Sequence, residues 1–229
     1  MTMQIVIPVG DELVLASDTK LQTWDLMEPK PTVRGTMHSP KVLFGADDIA
    51  VAFAGLASNG VAPAQKLVDH LNGLRPLPDQ LGPELGTFAR DLFDEMKRDH
   101  PACTSLLCTL VVVSPRAPCG WRIWKLPIEK DSRPMQILQY LITGDERNAA
   151  IFWPQYFRAD SEKLTLQTAT CLAATTILMG HELNPGGIGG LQIWQYTKAT
   201  GWKSLEAAEI DVVTAGFAAL QVELRRLIL

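Results

Sequence analysis

Short runs of β-branched and aliphatic residues alternate with pairs of helical segments along this chain, and that order restricts the fold. A first hairpin is predicted over residues 3–9 and 12–17, with a Gly-Asp pair at its turn. A second hairpin is predicted over residues 41–44 and 49–55. The first quarter of the chain is therefore rich in strands, before any helical periodicity begins.

Apolar residues recur at helical spacing over two segments that follow, and the remaining strands and helices come in a regular order. In chain order we predict a helix from residue 58 or 59 to about 73, a helix over 78–100, strands over 104–113, 121–126 and 137–142, helices over 145–157 and 161–180, a strand over 189–196 and a helix over 204–226.

Strand groups that alternate with helix pairs do not match single βαβ crossovers. They favour two antiparallel sheets packed face to face with helices outside, which is an α+β fold with four αββα layers. The sequence contains no repeat and no linker, so one domain over residues 1–229 is predicted.

Residues 21–40 are predicted to be mostly loop, with one short strand near Thr32. Trp24 in that loop is a candidate for substrate or subunit contact. Later in the chain, Gly180 is predicted to end the helix over residues 161–180.

Composition excludes several kinds of protein. The 21 basic and 25 acidic residues give a net charge of −4, whereas a sequence-independent nucleic-acid binder needs a basic face. No apolar run reaches the ~18 residues of a membrane span, and the start of the chain lacks a signal peptide, so we expect a cytoplasmic protein. The four cysteines form no CxxC pair and the four histidines are scattered, so we expect buried thiols, no metal site and no cofactor.

Three separated segments carry residues that could form a nucleophilic site. Thr2 follows the initiator methionine, and Asp18 follows the second predicted strand. Lys41 opens the second hairpin, which ends in Ala54-Gly55-Leu56. Taken singly, these residues have plain structural explanations: a small second residue, a turn aspartate and a solvated strand lysine.

In order and spacing, these residues resemble the proteasome β-subunit family of N-terminal-nucleophile hydrolases, which includes bacterial relatives. That family opens with a Thr and has an Asp sixteen residues later; here 18 minus 2 gives 16. Thr143-Gly144 is similar to the family's Thr/Ser-Gly turn. Pro185-Gly186-Gly187-Ile188 is similar to its Ser-Gly-Gly-Met/Ile step into a strand. The resemblance extends from Thr2 to about Trp194.

The resemblance implies a threonine-type endopeptidase. Removal of Met1 would expose Thr2, whose α-amine, with a reference pKa of ~7.7–8.0, could take the proton of its own hydroxyl. Lys41 would lie beside that hydroxyl, and Asp18 would keep Lys41 charged and oriented. The backbone N–H of Gly55 would face the developing oxyanion.

The resemblance also implies a substrate pocket and an assembly. Phe53 lies where family members line the primary specificity pocket, so its ring predicts a shallow pocket that prefers small side chains. Lys20 is a second candidate substrate-binding residue. Asp145 replaces a family Ser and could accept a hydrogen bond from the Thr2 amine. The family implies a homo-oligomeric ring or double ring that degrades polypeptides, with an ATP-dependent unfoldase as a partner.

Two further substitutions keep other functions open. Pro185 stands where the family has a second Ser, and Glu182 stands where it has an Asp. Proline cannot supply a hydroxyl, so a second hypothesis is a catalytically inactive or structural ring subunit. A third is a small-molecule amidase built on the same fold.

Overall fold

The computed structural model describes residues 2–25, 32–55, 57–99, 101, 105–117, 120–144, 150, 154–155 and 163–228. Within this part of the chain, the fold is a mixed α/β arrangement of antiparallel sheets and four helices. The helices are α1 (Ala57–Leu74), α2 (Leu81–Asp99), α3 (Leu166–Leu183) and α4 (Ala207–Ile228).

The first five-stranded sheet contains the beginning of the chain. Its strands are β1 (Met3–Val9), β2 (Glu12–Ser17), β10 (Leu141–Gly144), β11 (Gln192–Thr197) and β12 (Gly201–Ser204). They lie in the order β10-β1-β2-β11-β12, and every neighbouring pair is antiparallel. The predicted hairpin of β1 and β2 is confirmed, with Gly10 in the left-handed region (φ 57°) that its tight turn requires.

The second five-stranded sheet runs β5-β6-β7-β8-β9 and is also antiparallel. Its strands are β5 (Val42–Phe44), β6 (Ala50–Gly55), β7 (Ser105–Ala117), β8 (Gly120–Glu129) and β9 (Met135–Ile137). The hairpin predicted over residues 41–55 is confirmed. The single strand predicted over 137–142 is wrong, because β9 and β10 are separate strands that belong to different sheets.

The segment predicted to be mostly loop is instead a hairpin. Strands β3 (Lys20–Asp25) and β4 (Thr32–His38) form their own two-stranded sheet. Pro40 follows β4 and lies outside the paired residues, so it does not interrupt the ladder, while Pro29 and Pro31 lie outside the described residues. Trp24 is therefore a strand residue, and its side chain lies outside the described ones.

Three hydrophobic clusters show how these elements pack. One joins β6, β7 and β8 to α1 and α2, and a second joins β1, β2 and β11 to α3. The third contains residues of both large sheets, among them Val6 and Leu15 from the first and Ala52 and Val111 from the second. Because strand side chains alternate between faces, Met3 and Ile5 point toward α3, while Gln4 and Val6 face the other sheet.

Helix α3 differs from its predicted bounds. It begins after Thr165, whose side chain accepts a hydrogen bond from the Thr168 N–H and forms a capping box. It continues through Gly180 to Leu183, so the prediction that Gly180 ends the helix is wrong. A Cβ on Gly180 would lie 2.7 Å from the Met3 sulfur, so a larger residue there would require the end of the Met3 side chain to move. The helix predicted over 145–157 falls mostly outside the described residues.

Two described cysteines differ in environment. Cys108 is buried, and burial raises the pKa of its thiol to about 12, whereas Cys171 is exposed, so the prediction of buried thiols is wrong for Cys171. Cys103 and Cys119 lie outside the described residues. Among the described side chains, no group of three His, Cys, Asp or Glu could hold a metal ion. In the same part of the chain, no helix is both long and apolar enough to cross a membrane.

Candidate active site

Thr2 lies at the head of β1 and faces the space between the two large sheets. The two-residue period of the strand puts its side chain on the same face as Gln4 and Val6. Thr2 is 2% exposed and Gln4 is 1% exposed. Thr2 is therefore not a solvated residue near the chain start but a buried hydroxyl at the junction of the sheets.

Lys41 supplies the direct partner of that hydroxyl. Its side chain is 0% exposed, and its Nζ donates a hydrogen bond of 2.9 Å to Thr2 Oγ1. The same Nζ donates to both carboxylate oxygens of Asp18, at 2.9 Å each. An ammonium has three N–H donors, so these three acceptors saturate it. The explanation of Lys41 as a solvated strand residue does not hold.

Asp18 follows β2 and is held by the backbone as well as by Lys41. Its Oδ1 accepts a 2.9 Å hydrogen bond from the Met3 N–H, and its Oδ2 accepts one of 3.2 Å from the Lys20 N–H. The Asp18 N–H in turn donates to the Met3 carbonyl at 3.0 Å. These bonds fix the carboxylate relative to β1, and so relative to the residue that precedes Met3.

Burial perturbs both charged groups. Desolvation raises the pKa of Asp18 above its ordinary 3.8, and the nearby Lys41 ammonium opposes that rise. Desolvation lowers the pKa of Lys41 below 10.5, and Asp18 opposes that fall. Each charged form is therefore stabilised by the other. A proton passes from the Lys41 ammonium to the Asp18 carboxylate at a lower cost than between two exposed groups. Such a pair beside a hydroxyl is suited to proton transfer.

Gly55 ends β6, the strand that contacts β1 across the space between the sheets. Its φ of 129° lies outside the range that side-chain-bearing residues favour. Two residues earlier, the Phe53 N–H donates to the Lys41 carbonyl at 3.1 Å, which couples β6 to the lysine segment. The Phe53 ring is 1% exposed and packs in the cluster under α1 and α2.

Gln4 is a residue of this region that the sequence analysis missed. Its Nε2 donates a 2.7 Å hydrogen bond to the Phe53 carbonyl, from the strand that begins beside Thr2 to the strand that ends at Gly55. A signal existed in the sequence, because Gln4 is the one polar side chain in the otherwise apolar run Met3–Val9. It lies on the face where Val6 packs against the other sheet, so a polar group there requires a partner.

Gly144 fixes the backbone at Thr2 from the other side. It pairs with Met3 across β10 and β1 and has a φ of 110°. A Cβ at this position would overlap the carbonyl oxygen of Thr2. The Thr-Gly turn noted in the sequence therefore reflects a close approach of two backbones, which only glycine allows. Asp145, the next residue, lies outside the described ones.

The backbone N–H of Lys20 is joined to Asp18, and the Lys20 side chain binds the loop that follows α3. Its Nζ donates to the Pro185 carbonyl at 2.6 Å, and Gln22 Nε2 donates to the Gly186 carbonyl at 2.6 Å. These bonds hold the Gly-rich loop against β3. Glu182, in the last turn of α3, is exposed.

The structure thus brings Thr2, Asp18 and Lys41 into direct hydrogen-bonding contact. Gly55 belongs to the strand tied to them, Lys20 binds the neighbouring loop, and Phe53 lies in the core. The chemical role of each residue stays a prediction.

Comparison with known proteins finds similarity in structure. The chain superposes on a (Gly-1) mutant of Anbu from Hyphomicrobium sp. strain MC1, a proteasome-like protein, with a TM-score of 0.74. The match covers 100% of this chain and 96% of that chain at 13% sequence identity, a level at which the likeness concerns the fold alone. No protein-family model matches the sequence, and no curated protein matches it.

Proposed function

We propose that this chain is an N-terminal-nucleophile amide hydrolase in which Thr2 attacks the substrate after Met1 is removed. The proposed architecture is a four-layer αββα sandwich, supported by one hydrophobic cluster between the two sheets and one under the helices on each side. The proteasome-like fold of the structural neighbour is consistent with this class of chemistry.

The observation that carries the proposal is the buried contact among Lys41, Thr2 and Asp18. A lysine with 0% exposure is costly to bury, and its three hydrogen bonds all go to a hydroxyl and a carboxylate. Hydrophobic packing alone would place an aliphatic residue at this position. The arrangement is suited to activating the Thr2 hydroxyl as a nucleophile.

The proposed reaction proceeds through an ester. In the intact chain, the Thr2 nitrogen belongs to a peptide bond, and hydrolysis of the Met1–Thr2 bond converts it to an amine. That amine takes the proton from Thr2 Oγ1 as the oxygen bonds to the substrate carbonyl carbon. The Lys41 ammonium stabilises the negative charge that develops on Oγ1 during the attack, and the Gly55 N–H donates to the tetrahedral oxyanion.

The second half of the reaction restores the enzyme. The tetrahedral carbon expels the substrate's amine, which leaves with the proton held by the Thr2 amine, and an ester joins the acyl group to Thr2 Oγ1. Water then attacks the ester carbonyl and gives its proton to the same amine. The C–O bond breaks, the carboxylic acid departs, and the proton returns to Oγ1.

We propose polypeptides as substrates and a homo-oligomeric ring or double ring as the enclosing assembly, in keeping with the family resemblance. In that assembly, Lys20 would contact substrate and Asp145 would accept a hydrogen bond from the Thr2 amine. The buried ring of Phe53 would form the floor of the specificity pocket and keep it shallow, so peptides with small side chains should be cleaved fastest. An ATP-dependent unfoldase would deliver folded substrates.

One observation favours a second candidate, a catalytically inactive subunit. The family's second Ser is replaced by Pro185, whose carbonyl is occupied by Lys20, and Glu182 points to solvent on α3. Neither residue can take the place of the family's Ser and Asp beside the Thr2 amine. In this candidate, the buried contact of Lys41 would be structural.

The decisive experiment measures the chain start and the reactivity of Thr2 together. Intact-mass analysis of protein purified from its own cell should show loss of Met1, and a β-lactone or epoxyketone probe should then add one label. Thr2→Ala should abolish labelling, while Thr2→Ser should retain it. A matched control is Thr176→Ala, a buried threonine on α3 that should label normally. A full-length, unlabelled cellular protein would leave the inactive subunit as the answer.

A further inference from the structure

The attacking hydroxyl and the oxyanion donor of the proposed reaction belong to different sheets. Thr2 directly precedes β1, and Gly55 ends β6, which contacts β1 across the space between the sheets. The cluster of side chains in that space is apolar and includes Val6 of β1 and Ala52 of β6. Apolar contact is not directional, so it does not fix how far one strand is displaced along the other.

The Gln4 amide supplies a directional link between these two strands. Its Nε2 donates a 2.7 Å hydrogen bond to the Phe53 carbonyl, and Gln4 is 1% exposed. In the described part of the chain, no other hydrogen bond joins β1 to β6. Gln4 lies two residues after Thr2, and Phe53 lies two residues before Gly55. Because a hydrogen bond weakens steeply when its length or angle departs from the optimum, this bond fixes the relative position of the strands.

The Phe53 backbone is held from both of its polar groups. Its N–H donates to the Lys41 carbonyl at 3.1 Å, while its carbonyl accepts from Gln4. The Lys41 Nζ in turn donates to Thr2 Oγ1 at 2.9 Å. These contacts form a closed ring that begins and ends on β1. The ring contains the attacking oxygen and reaches the second peptide unit before Gly55.

The orientation of the Gln4 amide follows from its partner. A carbonyl oxygen only accepts hydrogen bonds, so the amide nitrogen must face Phe53. The Gln4 Oε1 is buried and has no hydrogen-bond donor among the described residues. A buried acceptor without a donor destabilises the folded state, so stability alone would favour an apolar residue of similar length. The amide is therefore explained by the one bond that it donates rather than by packing.

We propose that Gln4 is a positioning residue, which fixes the Gly55 N–H relative to Thr2 Oγ1 through the Phe53 backbone. Its effect on rate rests on the proposed hydrolase function, whereas its effect on the distance between the two groups concerns the fold alone. A displacement of ~1 Å at a reacting group can lower a rate by about 10²-fold. Gln4 needs no contact with the substrate to have this effect.

Two substitutions on the same face of β1 separate positioning from packing. Gln4→Met keeps the length of the side chain but removes the donor. Val6→Ala, at a residue 1% exposed, removes packing between the same two sheets and no hydrogen bond. Gln4→Asn is a second test variant, because its amide is one methylene shorter and would not reach the Phe53 carbonyl from the same backbone position.

Labelling kinetics of the processed chain with a β-lactone give the first measurement. Gln4→Met and Gln4→Asn should lower the maximal labelling rate by about 10–10²-fold and change the probe's half-saturating concentration little, because the probe still binds but is attacked in a displaced geometry. Val6→Ala should lower the urea midpoint at least as much as Gln4→Met and leave the maximal rate nearly unchanged. Equal losses of rate in Val6→Ala and Gln4→Met would overturn the proposal.

Crystal structures of the unmodified chain and of the Gln4 variants give the second measurement. The distance between the Gly55 nitrogen and Thr2 Oγ1 should change by more than ~0.5 Å, the tolerance of a catalytic constellation. An unchanged distance would overturn the proposal whether or not the chain is a hydrolase. If the unmodified processed chain does not label, the hydrolase proposal fails, and the distance still decides the role of Gln4. The two failures are therefore distinguishable.

Discussion

The space between the two sheets and the outer face of α4 break the same rule in opposite directions. Between the sheets, a lysine and an aspartate are 0% exposed. On α4, Val212 is 73% exposed although nothing in the helix requires an apolar residue in water. Charged residues are almost never fully buried unless paired, and exposed apolar rows are a mark of interaction surfaces.

The two exceptions have different energetic origins. The buried pair costs desolvation energy that its mutual attraction and hydrogen bonds only partly offset, so folding alone does not account for its presence. The exposed apolar residues of α4 change the free energy of unfolding of a single chain little, because their side chains are in water in both states. The first exception points to chemistry and the second does not, and each can be tested by substitutions that remove only one of them.

The largest expected effect is on rate, through Asp18. Replacing Asp18 with Asn keeps the shape but no longer holds Lys41 charged, so we expect kcat of the processed enzyme to fall by about 10²–10⁴-fold. Protonation of Asp18 should do the same in the unmodified enzyme. Because burial raises the pKa of Asp18, activity should be lost on acidification above pH 3.8, before an exposed aspartate would titrate. The pH profile of kcat measures this limb, and an unchanged profile in Asp18→Asn would contradict the assignment.

The next largest effect is expected on the free energy of unfolding. It distinguishes a variant that keeps one buried charge from a variant that has lost both. Lys41→Met leaves Asp18 buried without its counter-ion and should lower the free energy of unfolding by about 3–5 kcal/mol at neutral pH. Asp18→Asn/Lys41→Met removes both charges and should recover most of that loss while staying inactive. Urea unfolding of the three proteins provides the comparison.

The pKa directions give the sign of this effect. A raised pKa of Asp18 means that its contribution favours the native state at low pH and is lost as pH rises through that pKa. A lowered pKa of Lys41 means that its contribution favours the native state at high pH and is lost as pH falls through that pKa. Keeping both Asp18 and Lys41 ionised at neutral pH therefore lowers the free energy of unfolding. Equal stability of Lys41→Met and Asp18→Asn/Lys41→Met would contradict this conclusion.

A smaller effect is expected from the backbone that seats Thr2. Gly144→Ala and Gly10→Ala both place a side chain at positive φ, which costs about 1–2 kcal/mol. Only at Gly144 does the new Cβ meet the Thr2 carbonyl, since nothing lies within 4 Å of a Cβ at Gly10. Gly144→Ala should therefore be the less stable variant and should also slow probe labelling of Thr2. Labelling as fast as in Gly10→Ala would mean that the Thr2 backbone can shift without consequence.

The smallest effect is expected on the outside of the molecule. Val212→Ala should change the free energy of unfolding by no more than about 0.5 kcal/mol, since the side chain is mostly in water. Val14→Ala, the same change at a site 0% exposed, should cost about 2 kcal/mol. Thermal unfolding at a concentration where the chain is monomeric makes this measurement. A large effect of Val212→Ala under those conditions would mean that the Val212 side chain already packs within one chain.

The sequence by itself predicted the elements whose signals are local. The Gly-Asp turn between β1 and β2 and the apolar spacing of α2 depend on neighbouring residues, so strand and helix periodicity identified them. The end of α3 could not be predicted from neighbouring residues in this way. Gly180 has the sequence character of a helix end, but the helix continues past it to Leu183, and Gly180 packs beside Met3.

The tertiary structure decided which residues meet. Thr2, Asp18 and Lys41 come from three segments, and only the pairing of β1 with β2 and the packing of the two sheets bring the Lys41 Nζ within 2.9 Å of the other two side chains. Resemblance suggested that grouping, but Gln4 had no counterpart in it and was found only from its bond to Phe53. The reason is physical: periodicity reports which face of an element is apolar, whereas hydrogen bonds between sheets depend on how those faces are superposed.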